Sequence, residues 1–399
     1  MLAASLREVF FYAKELMDWD NLLADCVSFA QRLIRTPSMP GEEAALAALL
    51  AEEMRRLGFD EVWSDAIGNV HGRLHGRDRS LPALVLNTHL DHVDPGDPAL
   101  WPSPPFAAEI AGDRLIGRGA CDIKGPMAVQ VYAAAALRRL GEQPRRDVVV
   151  SAVVQEEVGG AGAIFWAEHL DYPVELVVLG EPSSNTLALG HRGIVEFWLT
   201  FHGRSVHASA PERGVNPNYA LAAFLGQLEA AVAALPAHPV LGPTSVAPTI
   251  VQVDTTSGNV TPAWTRVLLD FRTSTESVNS LTALIDRLAG SAPHTLTYAE
   301  GLAPSPLIGS DAAIAGFYTP PDSPLVARAR AAIAAETGQA PELTRYRFAT
   351  DGRHFAPHGL PSLGYSPGEE HLAHTAGESI SLTMMSESLR GHVALLQEF

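Results

Sequence analysis

The chain has 399 residues, 47% of them hydrophobic and 18% charged, the balance of a packed globular protein too long for one small core. Its 28 Lys and Arg against 45 Asp and Glu leave a formal net charge of −17, which argues against a nucleic-acid-binding protein with a basic face. Two cysteines, Cys26 and Cys121, make no disulfide framework, and no uncharged apolar run is long enough to span a bilayer, so the expectation is a soluble cytoplasmic protein without a membrane partner.

At the N-terminus, Arg7, Glu8, Lys14 and Glu15 interrupt the apolar residues of Met1 to Leu22, which therefore reads as an amphipathic helix and not a signal peptide. Asp20 to Arg35 reads as a helix stopped by Thr36-Pro37, and Gly41 to Leu57 as a second, closed by Gly58. Short strands are expected at Glu61 to Trp63 and Val70 to Leu74. Three apolar runs follow, Ala83 to Leu86, Val148 to Val154 and Leu176 to Leu179. None alternates, as expected of strands buried on both faces. Helical patterns at Pro126 to Leu140 and Ala161 to Leu170 separate them, so the order predicts a helix-covered α/β sheet.

The pattern changes near Gly193. Val195 to Phe201 alternates like a strand, then come a helix (Pro217 to Leu235), strands (Thr249 to Val253, Arg266 to Phe271), a helix (Val278 to Leu288) and a strand (Thr295 to Tyr298). Strand–helix–strand–strand–helix–strand suits a small α+β sandwich. Ala303 to Pro306 reads as a return linker and Ser323 to Thr337 as a resumed long helix. The expected division is a discontinuous catalytic domain, 1–193 and 304–399, with an inserted domain, 194–303.

Chemistry-bearing residues follow each buried strand: His89 and Asp91 after the first, Glu156 and Glu157 after the second, Glu181 after the third. In an open α/β sheet, ligands bind outside the carboxyl ends of the strands. Asp122 stands in a glycine-rich loop just before the Pro126 helix. Five carboxylates on one rim repel one another unless cations compensate. Imidazole with carboxylate suits zinc, cobalt or manganese, and so many acids suit two ions about 3.5–4 Å apart. Singly, each of these residues is an ordinary loop feature; the argument rests on their recurrence after three strands. The Gly159-Gly160-Ala161-Gly162 turn is not a dinucleotide fingerprint, because Phe165 holds the third glycine's place. No Gly-x-Ser-x-Gly elbow occurs, and Cys121 reads as a packed small hydrophobe.

Taken together, these segments resemble the aminoacylase/glutamate-carboxypeptidase family of two-zinc metallopeptidases, whose members include acetylornithine deacetylase, succinyl-diaminopimelate desuccinylase and bacterial carboxypeptidases. The resemblance runs from about Asp20 to the C-terminus. It is carried by Asn87-Thr88-His89-Leu90-Asp91-His92-Val93, Gly117-Arg118-Gly119-Ala120-Cys121-Asp122-Ile123-Lys124-Gly125, Glu156-Glu157-Val158-Gly159-Gly160, Gly180-Glu181-Pro182 and Ala373-His374-Thr375-Ala376-Gly377-Glu378. It implies two divalent ions, zinc with cobalt or manganese as alternatives. His89 and Glu181 would hold one, Glu157 and His374 the other, and Asp122 would bridge, with a cis peptide after it. Asp91 would orient His89. Glu156 would be the general base acting on a metal-bridged water. Because adjacent strand residues face opposite ways, Glu156 and Glu157 must lie where the strand ends.

The resemblance also implies that the inserted domain is a lid and homodimerisation domain. His207, in Gly203-Arg204-Ser205-Val206-His207, would reach a partner's active site and help bind the oxyanion. Asn259, Arg272 and Arg353 would contact substrate. The expected activity is hydrolysis of the amide bond of small N-acyl amino acids, with a carboxypeptidase or dipeptidase of the same chemistry as the alternative. A non-catalytic scaffold is disfavoured because no metal or base position is lost.

Overall fold

A computed structural model describes residues 17–274, 276–299 and 316–399; the expected Ala303–Pro306 linker and most of the expected N-terminal helix lie outside them. The chain divides into two compact units. The first comprises residues up to Gly190, Thr319–Thr344 and His358–Phe399, and the second comprises His191–Tyr318 and Arg345–Pro357.

The first unit opens with helices α1 (Trp19–Ile34) and α2 (Ala44–Arg56). Asp18 caps α1 by accepting from the Asn21 amide. Strands β1 (Glu61–Ser64), β2 (Val70–Leu74) and β3 (Ala83–His89) follow, then the short pair β4 (Glu109–Ala111) and β5 (Arg114–Ile116). Helix α3 (Gly125–Arg139) leads to β6 (Val148–Val153), α4 (Ala161–Glu168), β7 (Val174–Leu179) and β8 (Leu187–Ala188). Pro126 through Leu137 are buried on every side of α3. Its alanine run lets α1 and α9 (defined below) pack closely against it.

In the second unit, β9 (Gly193–His202), α5 (Pro217–Ala233), β10 (Ser245–Val253), β11 (Trp264–Thr273), α6 (Val278–Ala289) and β12 (His294–Tyr298) keep the expected order. The sheet runs β10-β11-β9-β12. One face is buried: Val195, Phe197, Leu199 and Phe201 alternate along β9 and meet Phe224, Leu228, Leu281 and Ile285 of the helices. β10 begins four residues before the expected Thr249. Pro248, which lacks an N–H, sits where the register shifts on this edge strand and would forfeit a ladder bond elsewhere.

The chain returns through α7 (Pro324–Thr337), β13 (Leu343–Thr344), the one-turn α8 (Gly352–Phe355), β14 (Ser362–Gly364), β15 (Ser379–Ser381) and α9 (Leu382–Glu398). In this return the division departs from the expected one: 345–357, with α8 and Arg353, joins the second unit. The main sheet runs β1-β2-β6-β3-β7-β14-β8-β13 and is mixed. Its centre is parallel, β3 pairing with β6 on one side and β7 on the other. Both β3 and β6 are buried throughout, as non-alternating sequence requires. Thus the ends of β6, β3 and β7 open on one edge.

Candidate metal centre

His89 is the last residue of β3, and the ladder runs just past it, the Leu90 amide donating to the Val153 carbonyl at 2.7 Å. β6 ends at Val153. The Asn69 side chain caps that end, accepting from the Val154 amide at 2.9 Å. Gln155 then takes a left-handed conformation at φ +58°, which turns the chain out of the strand. Glu156 and Glu157 therefore occupy a turn, as the sequence argument requires.

Asp91, fully buried, receives the Glu156 amide on Oδ1 and the Glu157 amide on Oδ2, both at 3.0 Å. The His89 ring meets its Oδ1 only at 3.4 Å, whereas Nδ1 lies 3.0 Å from the Asp91 main-chain carbonyl. His89 Nδ1 thus faces both the main-chain carbonyl and the carboxylate of Asp91. The Asp91 carboxylate also binds the Glu156–Glu157 turn, a role the sequence reading did not assign.

On its other side, His89 Nε2 lies 3.2 Å from Asp122 Oδ1 and 3.7 Å from Glu181 Oε1. The Asp122–Ile123 peptide is cis. His374 Nε2 faces Asp122 Oδ2 at 3.2 Å and Glu157 Oε1 at 3.1 Å. His374 adopts φ +62°, a conformation that costs a non-glycine residue about 1–3 kcal/mol and recurs at functional sites. Ligand-capable atoms of His89, Glu156 and Glu181 lie within 4.8 Å of one another, as do those of His89, Asp122 and Glu157. Six residues, His89 at the end of β3 and five from four separate loops, thus meet at one sheet edge.

Their electrostatics are those of a site short of positive charge. Three carboxylates, Asp122, Glu157 and Glu181, converge on two imidazoles, which leaves a negative excess even with both rings protonated. Asp122 and Glu157 beside His374 push its ring up to about 10. Burial, with Asp122 beside it, raises Glu157. Burial would also raise Asp122, but the two imidazoles hold it well below the usual carboxylate range. Oxygen and imidazole donors, buried at His89, Asp122 and Glu181 and together deficient in positive charge, fit divalent cations of the zinc, cobalt or manganese kind.

His207, Asn259, Arg272 and Arg353 belong to the second unit. His207 and Asn259 come together there: the Ala208 amide donates to the Asn259 carbonyl at 2.8 Å, and His207 bridges Val260. The exposed His207 ring shares a 2.7 Å hydrogen bond with the Ser209 hydroxyl. Arg272 makes a two-pronged pair with Asp270 at 2.8 and 2.9 Å. Arg353 donates from Nε to the His354 ring at 3.0 Å. Cys121 is buried and free, and burial pushes its thiol well up, so it is a packed group and not a nucleophile. Among the described residues, no helix is long and apolar enough to cross a membrane.

Residues 85–398 match the sequence family described as peptidase family M20/M25/M40. The chain is similar to the succinyl-diaminopimelate desuccinylase of Methylococcus capsulatus, 30% identical over 388 residues that cover 93% of this chain and 99% of that protein. Its fold is similar to that of aminopeptidase PepT from Bacillus cereus, with TM-score 0.75, 18% identity and coverage of 94% of this chain and 98% of the other. It is also similar to the Bacillus subtilis YxeP protein, described as a dinuclear metal binding peptidase, with TM-score 0.69, 15% identity and coverage of 95% and 99%.

Proposed function

The chain belongs to peptidase family M20/M25/M40, and from that membership we propose that it hydrolyses the amide bond of small N-acyl amino acids with two divalent cations, zinc foremost. The observation that carries this is the convergence of His89, Asp122, Glu156, Glu157, Glu181 and His374 at the carboxyl edge of one sheet. The near full-length similarity to a desuccinylase supports the N-acyl amino acid over other amides.

In this reading His89 and Glu181 hold one cation, Glu157 and His374 the other, and Asp122 serves both. Bound there, such ions polarise a carbonyl and make water a stronger acid. Glu156 takes the proton from the attacking water and passes it to the departing nitrogen. Asp91 holds the Glu156 and Glu157 amides, so the base and its neighbouring ligand move as one piece. By the family resemblance, His207 would reach a partner's active site and help bind the oxyanion, Asn259 and Arg272 would contact substrate, and Arg353 would bind the substrate carboxylate, the partner an arginine fork favours. We place the enzyme in the cytoplasm as a homodimer joined through the second unit.

Two measurements test this together. A panel of N-succinyl and N-acetyl amino acids is set against dipeptides, with zinc or cobalt supplied. Turnover of the dipeptides alone would reassign the protein as a dipeptidase or carboxypeptidase. Glu156→Ala should lower turnover about 10²–10⁴-fold while metal content by elemental analysis stays at the wild-type level. Unchanged turnover in that variant removes the proposed base.

A further inference from the structure

The antiparallel pair β5–β15 sets Ile116 opposite Ser379, so the loop leaving β5 and the loop entering β15 meet at the same end of the pair. The first loop carries Asp122 and the second carries His374. Between them stands Glu378, completely buried. Its Oε1 accepts from the Cys121 amide at 3.0 Å and the Asp122 amide at 3.1 Å. Its Oε2 accepts from Arg118 Nη1 at 2.5 Å, and its main-chain carbonyl accepts from the Gly117 amide at 3.0 Å. Arg118 is itself buried, lying over the Trp101 ring at 5.1 Å and donating to the Asp94 carbonyl at 3.3 Å.

Both oxygens of Glu378 accept from protein donors. It ties the Asp122 loop to its own loop, which carries His374, and those two ligands neighbour each other at 3.2 Å yet belong to segments far apart in the chain. We propose that Glu378, neutralised by Arg118, is a positioning residue that fixes Asp122 relative to His374 and so sets the affinity and geometry of the cation they share. Residues behind metal ligands commonly control affinity about 10–100-fold. The inference rests on the metal reading above.

Glu378→Gln keeps an acceptor but removes the charge Arg118 requires. Glu378→Asp keeps the charge but draws the carboxylate away from both amides. Glu53→Ala, a destabilising change in α2, controls for global stability. Zinc dissociation constants are measured by competition with a chromophoric chelator, and visible absorption spectra are recorded on the cobalt-loaded proteins. Either folded Glu378 variant should bind one zinc about 10–100-fold more weakly and show an altered cobalt spectrum, while Glu53→Ala does neither. Wild-type zinc affinity and an unaltered cobalt spectrum in the Glu378 variants overturn the proposal, as does an equal weakening in Glu53→Ala or failure of both Glu378 variants to fold. Absence of zinc binding in the wild-type protein would instead sink the metal reading itself.

Discussion

Asp91 illustrates how one side chain can serve two segments. Its main-chain carbonyl orients His89, and its carboxylate receives two consecutive amides from a turn more than sixty residues on. An Asn in its place can accept only through one oxygen, which leaves one amide unpaired and lets the turn shift. Displacements near 1 Å at a catalytic group can cost on the order of 10² in rate. Asp91→Asn should therefore lower kcat by about a hundredfold with little change in metal content. Near wild-type kcat would show that the turn is held by other means. The sequence places Asp91 beside the site by its spacing from His89, but its second role depends on a hydrogen bond across loops, which no local pattern encodes.

At the scale of elements, α2 is joined to α1 and α3 by a buried charged group. Glu53 accepts from Arg32, Arg56 and the Tyr132 hydroxyl. Burial alone would raise its carboxyl, but hydrogen bonds from Arg56, Tyr132 and Arg32 reverse this and hold it at about 2. A carboxylate depressed in the folded state stabilises above its ordinary range, and that contribution is lost as pH falls toward the folded value. Thermal unfolding measured from about pH 6 down to pH 2 should show the wild type losing stability more steeply than Glu53→Gln. At neutral pH, Glu53→Ala should cost roughly 1–3 kcal/mol, because the buried Tyr132 hydroxyl loses its acceptor. Parallel pH profiles for the wild type and Glu53→Gln would contradict this assignment.

For the whole molecule, β10 is an edge strand with Ile250, Val251 and Val253 exposed by 43%, 57% and 40%. An apolar edge that no other described strand pairs invites association with another chain, the basis for testing the proposed homodimer through the second unit. Light scattering coupled to size exclusion should find a dimer, converted to monomer by Val251→Lys with circular dichroism unchanged. A monomeric wild type, or a dimer indifferent to that substitution, would refute the arrangement.

Several features were decided by local chemistry and are therefore legible in the sequence. The buried strands β3, β6 and β7 announce themselves by unbroken apolar runs, and the residues just beyond them are delivered to one edge by the rule of parallel sheets. The order of strands and helices in the second unit follows from alternation in β9 and β11 and from the amphipathic α6. Tertiary structure decided the rest. Three-residue strands such as β4, β5 and β15 are too short to show a period. Helix α9 buries Ser388, Gly391 and His392 as well as apolar residues, and Gly391 lies so close to the Tyr365 hydroxyl that a side chain would collide with it; small and polar residues on a buried face conceal the helical pattern. The passage of 345–357 into the second unit and the contacts of Glu378 with Arg118 and the Asp122 loop depend on meetings between distant segments. Such meetings are set by how whole elements pack, and the sequence near each partner carries no trace of the other.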